Sequence, residues 1–228
     1  MPTARTPTAA PARGDATREL LIRAATDSFS LHGFDAVSTR EITERAGVNQ
    51  ALIGYHFGGK EGLYLAVFDA IATQVQAQLA PVVGEVDALL NDPRPGGLTP
   101  AARRKRWLPP ILSVADRMLG LMLSPQTEPW ARLILREQAH PTAAFDRLYT
   151  GFMGELLQRL VALVMRLRDE PDETEARLLV VALVGQVVVW RASRASAQRL
   201  LGWPRIAQPE SERARAALQR QLSALLLN

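Results

Sequence analysis

The chain has 228 residues, of which 47% are apolar, so it is long enough to bury one large core or two smaller ones and is expected to be globular. It contains no cysteine, which excludes disulfides, thiolate metal sites and a cysteine nucleophile and fits a reducing compartment, by default the cytoplasm. The formal net charge is +4, but residues 1–64 contain as many acidic as basic side chains, so bulk charge does not assign a nucleic-acid contact to this segment.

Two segments bear on targeting. Residues 1–14 are rich in Pro, Ala and Thr and are too polar for a signal peptide, so we expect a disordered tail there. The longest apolar run, residues 178–190, is shorter than the roughly 20 residues that cross a bilayer. It is therefore expected to be a buried helix, and no membrane partner is predicted.

Apolar residues recur at spacings of three and four from Leu20 almost to the C-terminus, whereas strand patterns are absent. This predicts an all-α protein. The first helix is expected to begin at Asp15, a suitable N-cap, and to end at Gly33, which can adopt the left-handed conformation of a helix terminus. Its buried stripe is formed by Ile22, Ala25 and Phe29.

Residues 38–57 predict two short helices that meet across a tight turn. Ser38 and Glu41 fit a capping box that starts a helix over residues 39–46. Gly47 can end this helix, and Asn49 can cap a further helix that runs to about residue 56. This is the arrangement of a helix-turn-helix, whose second helix enters the major groove of DNA.

The rest of the chain alternates helices with Pro or Gly breaks. After Leu63 a long helix is expected to run to about Ala80, where Pro81 perturbs it, and residues 91–97 read as a loop. The basic run at residues 103–106 is interpreted as a solvated face. Further helices are predicted over about 101–123, 127–139, 142–168, 173–201 and 210–226.

Residues 22–64 resemble the N-terminal DNA-binding domain of the TetR family of transcriptional regulators. The resemblance implies a three-helix DNA-binding domain at residues 15–62, followed by a larger helical effector-binding and dimerisation domain at residues 63–228. It also implies a homodimer on a palindromic operator, with no cofactor or metal. The features that match are Ile22, Ala25, Phe29, Gly33-Phe34, Ser38 to Ile42, Ala46-Gly47-Val48, Tyr55-His56-Phe57 and Lys60-Glu61.

Within this segment, Gln50 is the first candidate for a base contact, because its amide can pair in two directions with adenine. Arg40 could reach a guanine edge or a phosphate, the alternative being a surface helix cation. Leu52 and Gly54 depart from the residues that many relatives carry, and Gly54 removes one side-chain contact. We expect Asn49 to cap the second helix rather than to contact a base, and Thr39, Tyr55 and His56 to contact phosphates. The full set of predicted DNA-binding residues is Thr39, Arg40, Asn49, Gln50, Ala51, Gly54, Tyr55, His56 and Lys60.

Residues 136–153 and 201–203 resemble the C-terminal domain of the CecR-like branch of the same family, in which helices form a dimer bundle around a small-molecule pocket. The apolar helix near residues 173–201 favours a dimer interface, the alternative being a large intramolecular core. The candidate ligand-binding residues, which could equally be plain core or surface groups, are Trp130, Arg136, His140, Phe152 and Trp190.

The predicted function is a sequence-specific DNA-binding regulator, a ligand-responsive repressor that controls efflux or detoxification genes. The alternative is a helical ligand-binding module or enzyme that uses the N-terminal domain for assembly only. Residues 54–60 match most of the phosphate-loop pattern, but Glu61 stands where that loop needs a hydroxyl residue. The three histidines are scattered, so the sequence does not call for an enzyme.

Overall fold

The computed structural model describes residues 13–93 and 97–227, and this part of the chain is helical and contains no strand. The predicted all-α class is confirmed. The helices are α1 (Arg13–His32), α2 (Thr39–Ala46), α3 (Ala51–Phe57), α4 (Lys60–Asn91), α5 (Pro100–Leu123), α6 (Glu128–Ala139), α7 (Ala143–Leu148), α8 (Gly154–Arg168), α9 (Glu173–Ala192), α10 (Arg194–Leu201) and α11 (Gln208–Leu227).

The chain divides into two compact units, a first unit of Met1–Ala70 and a second unit of Ile71–Asn228. The division falls within α4, after the domain boundary expected at residue 62. The expected tail lies outside the described residues over 1–12, whereas residues 13 and 14 already belong to α1.

Helix α1 begins earlier than the sequence suggested. Asp15 lies inside its first turn rather than at the N-cap, so this prediction was wrong; the carboxylate there still faces the positive end of the helix dipole. The predicted stripe is buried, with Ala25 and Phe29 fully so. The helix ends as expected, since Gly33 has φ 84° and its N–H donates to the carbonyl of Phe29 at 2.9 Å.

An aromatic cluster forms the core of the first unit. The ring of Tyr64 lies edge-on to Phe29, Phe34 and Phe68, with centroids 4.9–5.1 Å apart. Such edge-to-face contacts add to the free energy of apolar burial. Because Tyr64 lies on α4 and Phe29 on α1, the cluster fixes the start of α4 against the first helix.

Helix α4 does not stop near Ala80 but continues through Pro81 to Asn91. Pro81 removes one backbone hydrogen bond and costs about 3 kcal/mol in a helix interior. Val75 and Leu79 before it and Val86 after it are all buried on one side of the helix. Burial of side chains on both sides of Pro81 offsets that cost, which the local pattern could not show.

The second unit is built around α5, α8, α9 and α11, which pack against one another. Two predicted helices are interrupted here. The stretch expected as one helix over 142–168 contains a π-helical segment, Tyr149–Met153, between α7 and α8. The side chains that form the core of this unit include Trp107, Ile111, Leu119, Leu160, Leu163, Val164, Leu183, Val187, Leu218 and Leu222.

The helix expected over 173–201 is broken at Ser193, where α9 ends and α10 begins at an angle of 82°. Tertiary contacts hold this bend: the ring of Trp190 stacks on that of Trp203 with centroids 6.2 Å apart, and Arg194 donates to the carbonyl of Leu123. Among the described helices, no single one is long and apolar enough to cross a membrane; α9 and α10 meet that test only when taken together across the bend.

Candidate functional site

Local hydrogen bonds define both ends of α2. The Ser38 hydroxyl accepts the N–H of Glu41 at 3.1 Å, as the capping pattern predicted. At the other end, Gly47 has φ 67° and ψ 34°, and its N–H donates to the carbonyl of Glu44 at 3.3 Å. The next N–H, of Val48, donates to the carbonyl of Thr43. These bonds satisfy the last carbonyls of α2 and fix the direction in which the chain leaves the helix.

Asn49 caps α3. Its Oδ1 accepts the N–H of Ala51 at 2.8 Å, and Gln50 already has helical dihedral angles, φ −59° and ψ −32°. Ile53 is buried beneath the helix. The helix ends at Gly58, which has φ 72° and donates its N–H to the carbonyl of Gly54 at 2.9 Å.

The opposite side of α3 is open to solvent. Tyr55 is 82% exposed, and Gln50, Ala51 and Gly54 are exposed beside it. A Cβ added at Gly54 would meet no atom within 4 Å, so packing within the protein does not require a glycine there. This surface of α3 can therefore approach a flat or grooved partner closely.

Thr39 and Gln50 are 11 residues apart in sequence but meet in space. The Nε2 of Gln50 donates to the hydroxyl of Thr39 at 3.1 Å. This contact joins the first residue of α2 to the residue that precedes α3. It places two of the predicted DNA-binding side chains on one surface.

Arg40 lies on the exposed side of α2, where its Nε donates to Glu44 Oε1 at 2.8 Å. The hydrogen bond and the charge of Glu44 raise the pKa of Arg40. The guanidinium is thus held along the helix surface and remains charged. Its remaining N–H groups lie in the plane of the guanidinium, in the fork geometry that suits a phosphate or a base edge.

His56 and Lys60 are less exposed than the residues at the start of α3. His56 is half-buried between the rings of Tyr55 and Phe57. The Nζ of Lys60 lies 4.4 Å from the ring centroid of Phe34 and donates to the carbonyl of Asp35 at 3.4 Å. Lys60 therefore supports the connection between α1 and α2.

Gly62 is a structural requirement that the sequence did not reveal. A Cβ added at Gly62 would lie 1.8 Å from the carbonyl oxygen of Phe57. Backbone atoms cannot yield as a flexible side chain can, so only glycine permits this approach of α4 to the end of α3. An isolated glycine near a helix start carries no such signal in the sequence.

The second unit contains a cavity of about 430 Å³ between α4, α5, α6, α8, α9 and the π-helical segment. Of the predicted ligand-binding residues, Trp130 and Phe152 are among those that line it. Arg136, His140 and Trp190 are not. The lining residues are Val75, Leu79, Met118, Leu121, Met122, Thr127, Trp130, Ala131, Ile134, Leu135, Gln138, Phe152, Met153, Leu156, Leu157, Val181, Val184, Gly185 and Val188.

The three predicted residues outside the cavity have other surroundings. Arg136 and His140 are exposed on or just after α6, because the helix turns these positions away from the cavity side that carries Ile134 and Gln138. Trp190 stacks on Trp203 instead. The sequence spacing identified the right helices but not which face of each helix the cavity occupies.

A left-handed glycine turn between two short helices, with an exposed second helix, defines a helix-turn-helix DNA-binding protein. The family described as "Bacterial regulatory proteins, tetR family" matches residues 21–67, and "HTH-type transcriptional dual regulator CecR, C-terminal domain" matches residues 111–228. The chain belongs to the TetR family of transcriptional regulators, and the resemblance drawn from residues 22–64 and 136–153 is confirmed. This is a family of regulators rather than enzymes.

Relatives and solved structures agree with this family. The chain is 31% identical to the transcriptional dual regulator CecR of Shigella flexneri over 201 residues, which cover 88% of this chain and 86% of that protein. It is 42% identical over 74 residues to RaaS of Mycobacterium tuberculosis, covering 32% of this chain and 34% of that protein.

The fold is shared with regulators of low sequence identity. AibR, solved in complex with isovaleryl coenzyme A and operator DNA, has a TM-score of 0.64 at 11% identity and covers 90% of this chain and 97% of its own. A TetR-family regulator from Mesorhizobium loti has a TM-score of 0.58 at 18% identity, and the match covers 95% of this chain and 96% of that chain.

Proposed function

We propose that this protein is a ligand-responsive repressor that binds a palindromic operator as a homodimer in the cytoplasm. The observation that carries the proposal is the contact between the start of α2 and the start of α3, beside the open side of α3. There the side chains of Thr39 and Gln50 meet, while Arg40 on α2 and Tyr55 on α3 are exposed to solvent. This is the surface that a helix-turn-helix directs into the major groove.

In the proposed complex, Gln50 reads a base edge, because it lies at the N-terminal end of α3, where groove contacts are made. Ala51 and Gly54 lie on the same open side and keep the backbone close to the bases. The phosphate contacts come from residues on either side of this edge. They are Thr39, Arg40, Tyr55, His56 and Lys60, with Asn49 holding the helix start.

A homodimer is supported by an apolar stripe on α9. Leu178, Val181 and Val189 are 45–69% exposed, and their spacing places them on one side of the helix. A second copy would remove this stripe from water, and exposed apolar patches of this kind mark interaction surfaces. The dimer would carry two α3 helices to successive major grooves, about 34 Å apart.

Ligand response is supported by the cavity in the second unit. A ligand that binds better to a conformation with the wrong spacing of the two reading helices releases the operator. Occupancy of the operator then depends on ligand concentration. Efflux or detoxification genes are the proposed targets, since their products would remove such a ligand.

The proposal is tested by footprinting and fluorescence anisotropy on the DNA beside the gene for this protein. The wild type is expected to protect a palindromic segment with salt-sensitive affinity. Gln50→Ala is expected to lower that affinity by about a hundredfold and to relax selectivity at the same base pair of each half-site, because each protomer loses one bidentate contact. Absence of sequence-selective binding by the wild type would refute the proposal.

A further inference from the structure

The walls of the cavity are almost entirely apolar. None of the described residues that line it carries a charge; leucine, valine and methionine predominate, with Trp130 and Phe152 as the aromatic members. Moving a charged group into such surroundings costs far more free energy than moving an apolar one, unless a counter-ion is present. The composition of the walls thus selects against ionised ligands.

Besides the indole of Trp130, the lining includes two polar side chains, Thr127 and Gln138, which differ in what they offer a ligand. The Thr127 hydroxyl donates to the carbonyl of Leu121 and lies 3.0 Å from the carbonyl of Ser124, so its proton is already used within the protein. Gln138 is exposed, and its Nε2 lies 3.8 Å from the sulfur of Met153. Gln138 therefore offers both an amide donor and an amide acceptor to a ligand, at the exposed edge of the cavity.

Arg191 is the buried cation closest along α9 to the cavity wall, one turn beyond Val188, and it does not serve as a counter-ion for a ligand. Its Nη2 donates to the carbonyl of Ser124 at 2.6 Å and lies 3.5 Å from the Thr127 hydroxyl. Its Nε and Nη1 atoms are shielded from solvent and from the cavity. Arg191 is not among the residues that line the cavity.

We propose that the cavity binds uncharged, predominantly apolar molecules whose one polar group faces Gln138. Met118, Met122 and Met153 line it, and flexible thioether side chains adapt to ligands of different shapes. A volume of about 430 Å³ lies in the range of pockets that take drug-sized ligands. The site selects for lack of charge and for size rather than for one chemical structure, and its role as an effector site rests on the proposed function.

The charge selectivity is tested with a pair of ligands that share one alkyl chain. N-phenyl-1-naphthylamine, an uncharged dye that fluoresces in apolar surroundings, is bound to the full-length protein and displaced by decanol or by ionised decanoate, both below their micellar concentrations. Decanol is expected to displace the dye at a concentration at least about tenfold lower than decanoate, because decanoate must lose the hydration of its charge. Equal or better displacement by decanoate, or no dye binding, would overturn the proposal.

The location is tested with two matched glycine substitutions. Gly185 lines the cavity, Gly84 does not, and a Cβ added at either meets no atom within 4 Å. Gly185→Leu is expected to abolish dye binding, whereas Gly84→Leu keeps it. Leu157→Trp is a second cavity variant, on the α8 wall. It should also abolish dye binding, and it replaces Gly185→Leu in the test if that substitution changes the oligomeric state. Unchanged dye binding in both cavity variants places the site elsewhere.

The dye assay contains no DNA, so it separates this proposal from the proposed function. Operator release is measured independently by adding decanol to the protein–operator complex. If the protein fails to bind DNA selectively, the dye result still decides the chemistry of the cavity. If decanol binds but does not release operator, the ligand class holds and its role as effector is rejected.

Discussion

The side-chain amide of Gln50 donates to the hydroxyl of Thr39 at 3.1 Å, and this bond links the N-termini of α2 and α3. The amide keeps its second N–H and its oxygen for a partner outside the protein. Thr39 therefore orients the side chain proposed to read a base. A preoriented donor loses less conformational entropy when it binds.

Thr39→Val removes the acceptor while preserving the shape of the side chain. We expect operator affinity to fall about 30-fold, since one net hydrogen bond contributes about 1 kcal/mol and each of the two protomers loses one. Discrimination between bases at the Gln50 position should also weaken. Anisotropy titrations on operators altered at that position measure both effects. Thr39→Ser keeps the hydroxyl and serves as the control. If Thr39→Val lowers affinity equally for every operator sequence, Thr39 contacts a phosphate and does not orient Gln50.

Arg40 and Arg23 form a matched pair for testing the role of charge. Both are exposed arginines that pair with a glutamate four residues away, Glu44 and Glu19 respectively. Arg40→Ala is expected to weaken operator binding at least about tenfold and to reduce the slope of log affinity against log salt concentration by about 2, because each protomer of the proposed homodimer loses one phosphate contact. Arg23→Ala should change neither quantity. Equal behaviour of the two variants would identify Arg40 as an ordinary surface cation.

Gly62 and Gly54 should respond to alanine in opposite ways. Gly62→Ala forces a Cβ to within 1.8 Å of the Phe57 carbonyl oxygen, so we expect the free energy of unfolding of the first unit to fall by about 2 kcal/mol or more. Gly54→Ala meets no atom and should raise it by about 0.5–1 kcal/mol through helix propensity. Chemical denaturation followed by circular dichroism measures both changes.

The same Gly54→Ala variant is expected to bind operator at least about threefold more weakly, because a methyl group on the open side of α3 separates the backbone from the groove. Gly54→Ala should therefore raise the free energy of unfolding but lower the affinity for operator. If the variant is more stable and binds operator as tightly as the wild type, Gly54 does not face DNA.

Leu178→Glu tests the dimer. Leu178 belongs to the α9 stripe but does not line the cavity. A carboxylate there would be buried without a partner in the proposed interface, so the variant should sediment as a monomer and lose operator affinity. Leu31→Glu is the control, since Leu31 is also an exposed apolar residue, 52% exposed, but lies on α1. A Leu178→Glu protein that remains dimeric would exclude this part of α9 from the interface.

Arg191 and Arg159 differ in how well their charges are compensated. Burial and the nearby Arg194 lower the pKa of Arg191. Its Nε and Nη1 lack hydrogen-bond partners, and the carboxylate that pairs with it, Glu128, lies 3.9 Å from Nη1, which is a longer ion pair than either of those made by Arg159. Arg159 instead donates from Nε to Asp87 at 2.7 Å and from Nη1 to Glu155 at 3.0 Å. The first is therefore a costly buried cation, whereas the second is a half-buried, well-paired one.

Arg191→Met is accordingly expected to leave the melting temperature unchanged or to raise it, because replacing a poorly compensated buried ion by an apolar side chain is often neutral or stabilising. Arg159→Met should lower the melting temperature by a few degrees, since it leaves Asp87 without its partner. Differential scanning calorimetry on both variants decides the matter. A larger loss for Arg191→Met would mean that its bond to Ser124 outweighs its burial.

Local signals account for most of the first unit. Ser38, Gly47 and Asn49 were each assigned a capping role from residue type and position, and each has that role in the structure. Capping depends on bonds within three residues, so the sequence contains the whole interaction. The start of α1 was misplaced because Asp15 is as favourable inside a first helical turn as at a cap.

The second unit shows where local reasoning ends. Proline strongly disfavours the interior of a helix, yet α4 continues through Pro81. Serine disfavours a helix only weakly, yet the helix that begins at Glu173 ends before Ser193. Both outcomes depend on side chains that are distant in sequence. Packing against other helices contributes more free energy than the local preference of one residue.

Periodicity, caps and spaced motifs are properties of neighbouring residues. They were sufficient to predict the helical class, the helix-turn-helix at residues 38–57 and the resemblance to the TetR regulators. The contact of Thr39 with Gln50, the approach of Gly62 to Phe57, and a cavity that includes Trp130 and Phe152 but not Trp190 became evident from the packed fold. These relationships join residues of different helices. Which faces meet is set by the packing of the whole core, which no local stretch of sequence contains.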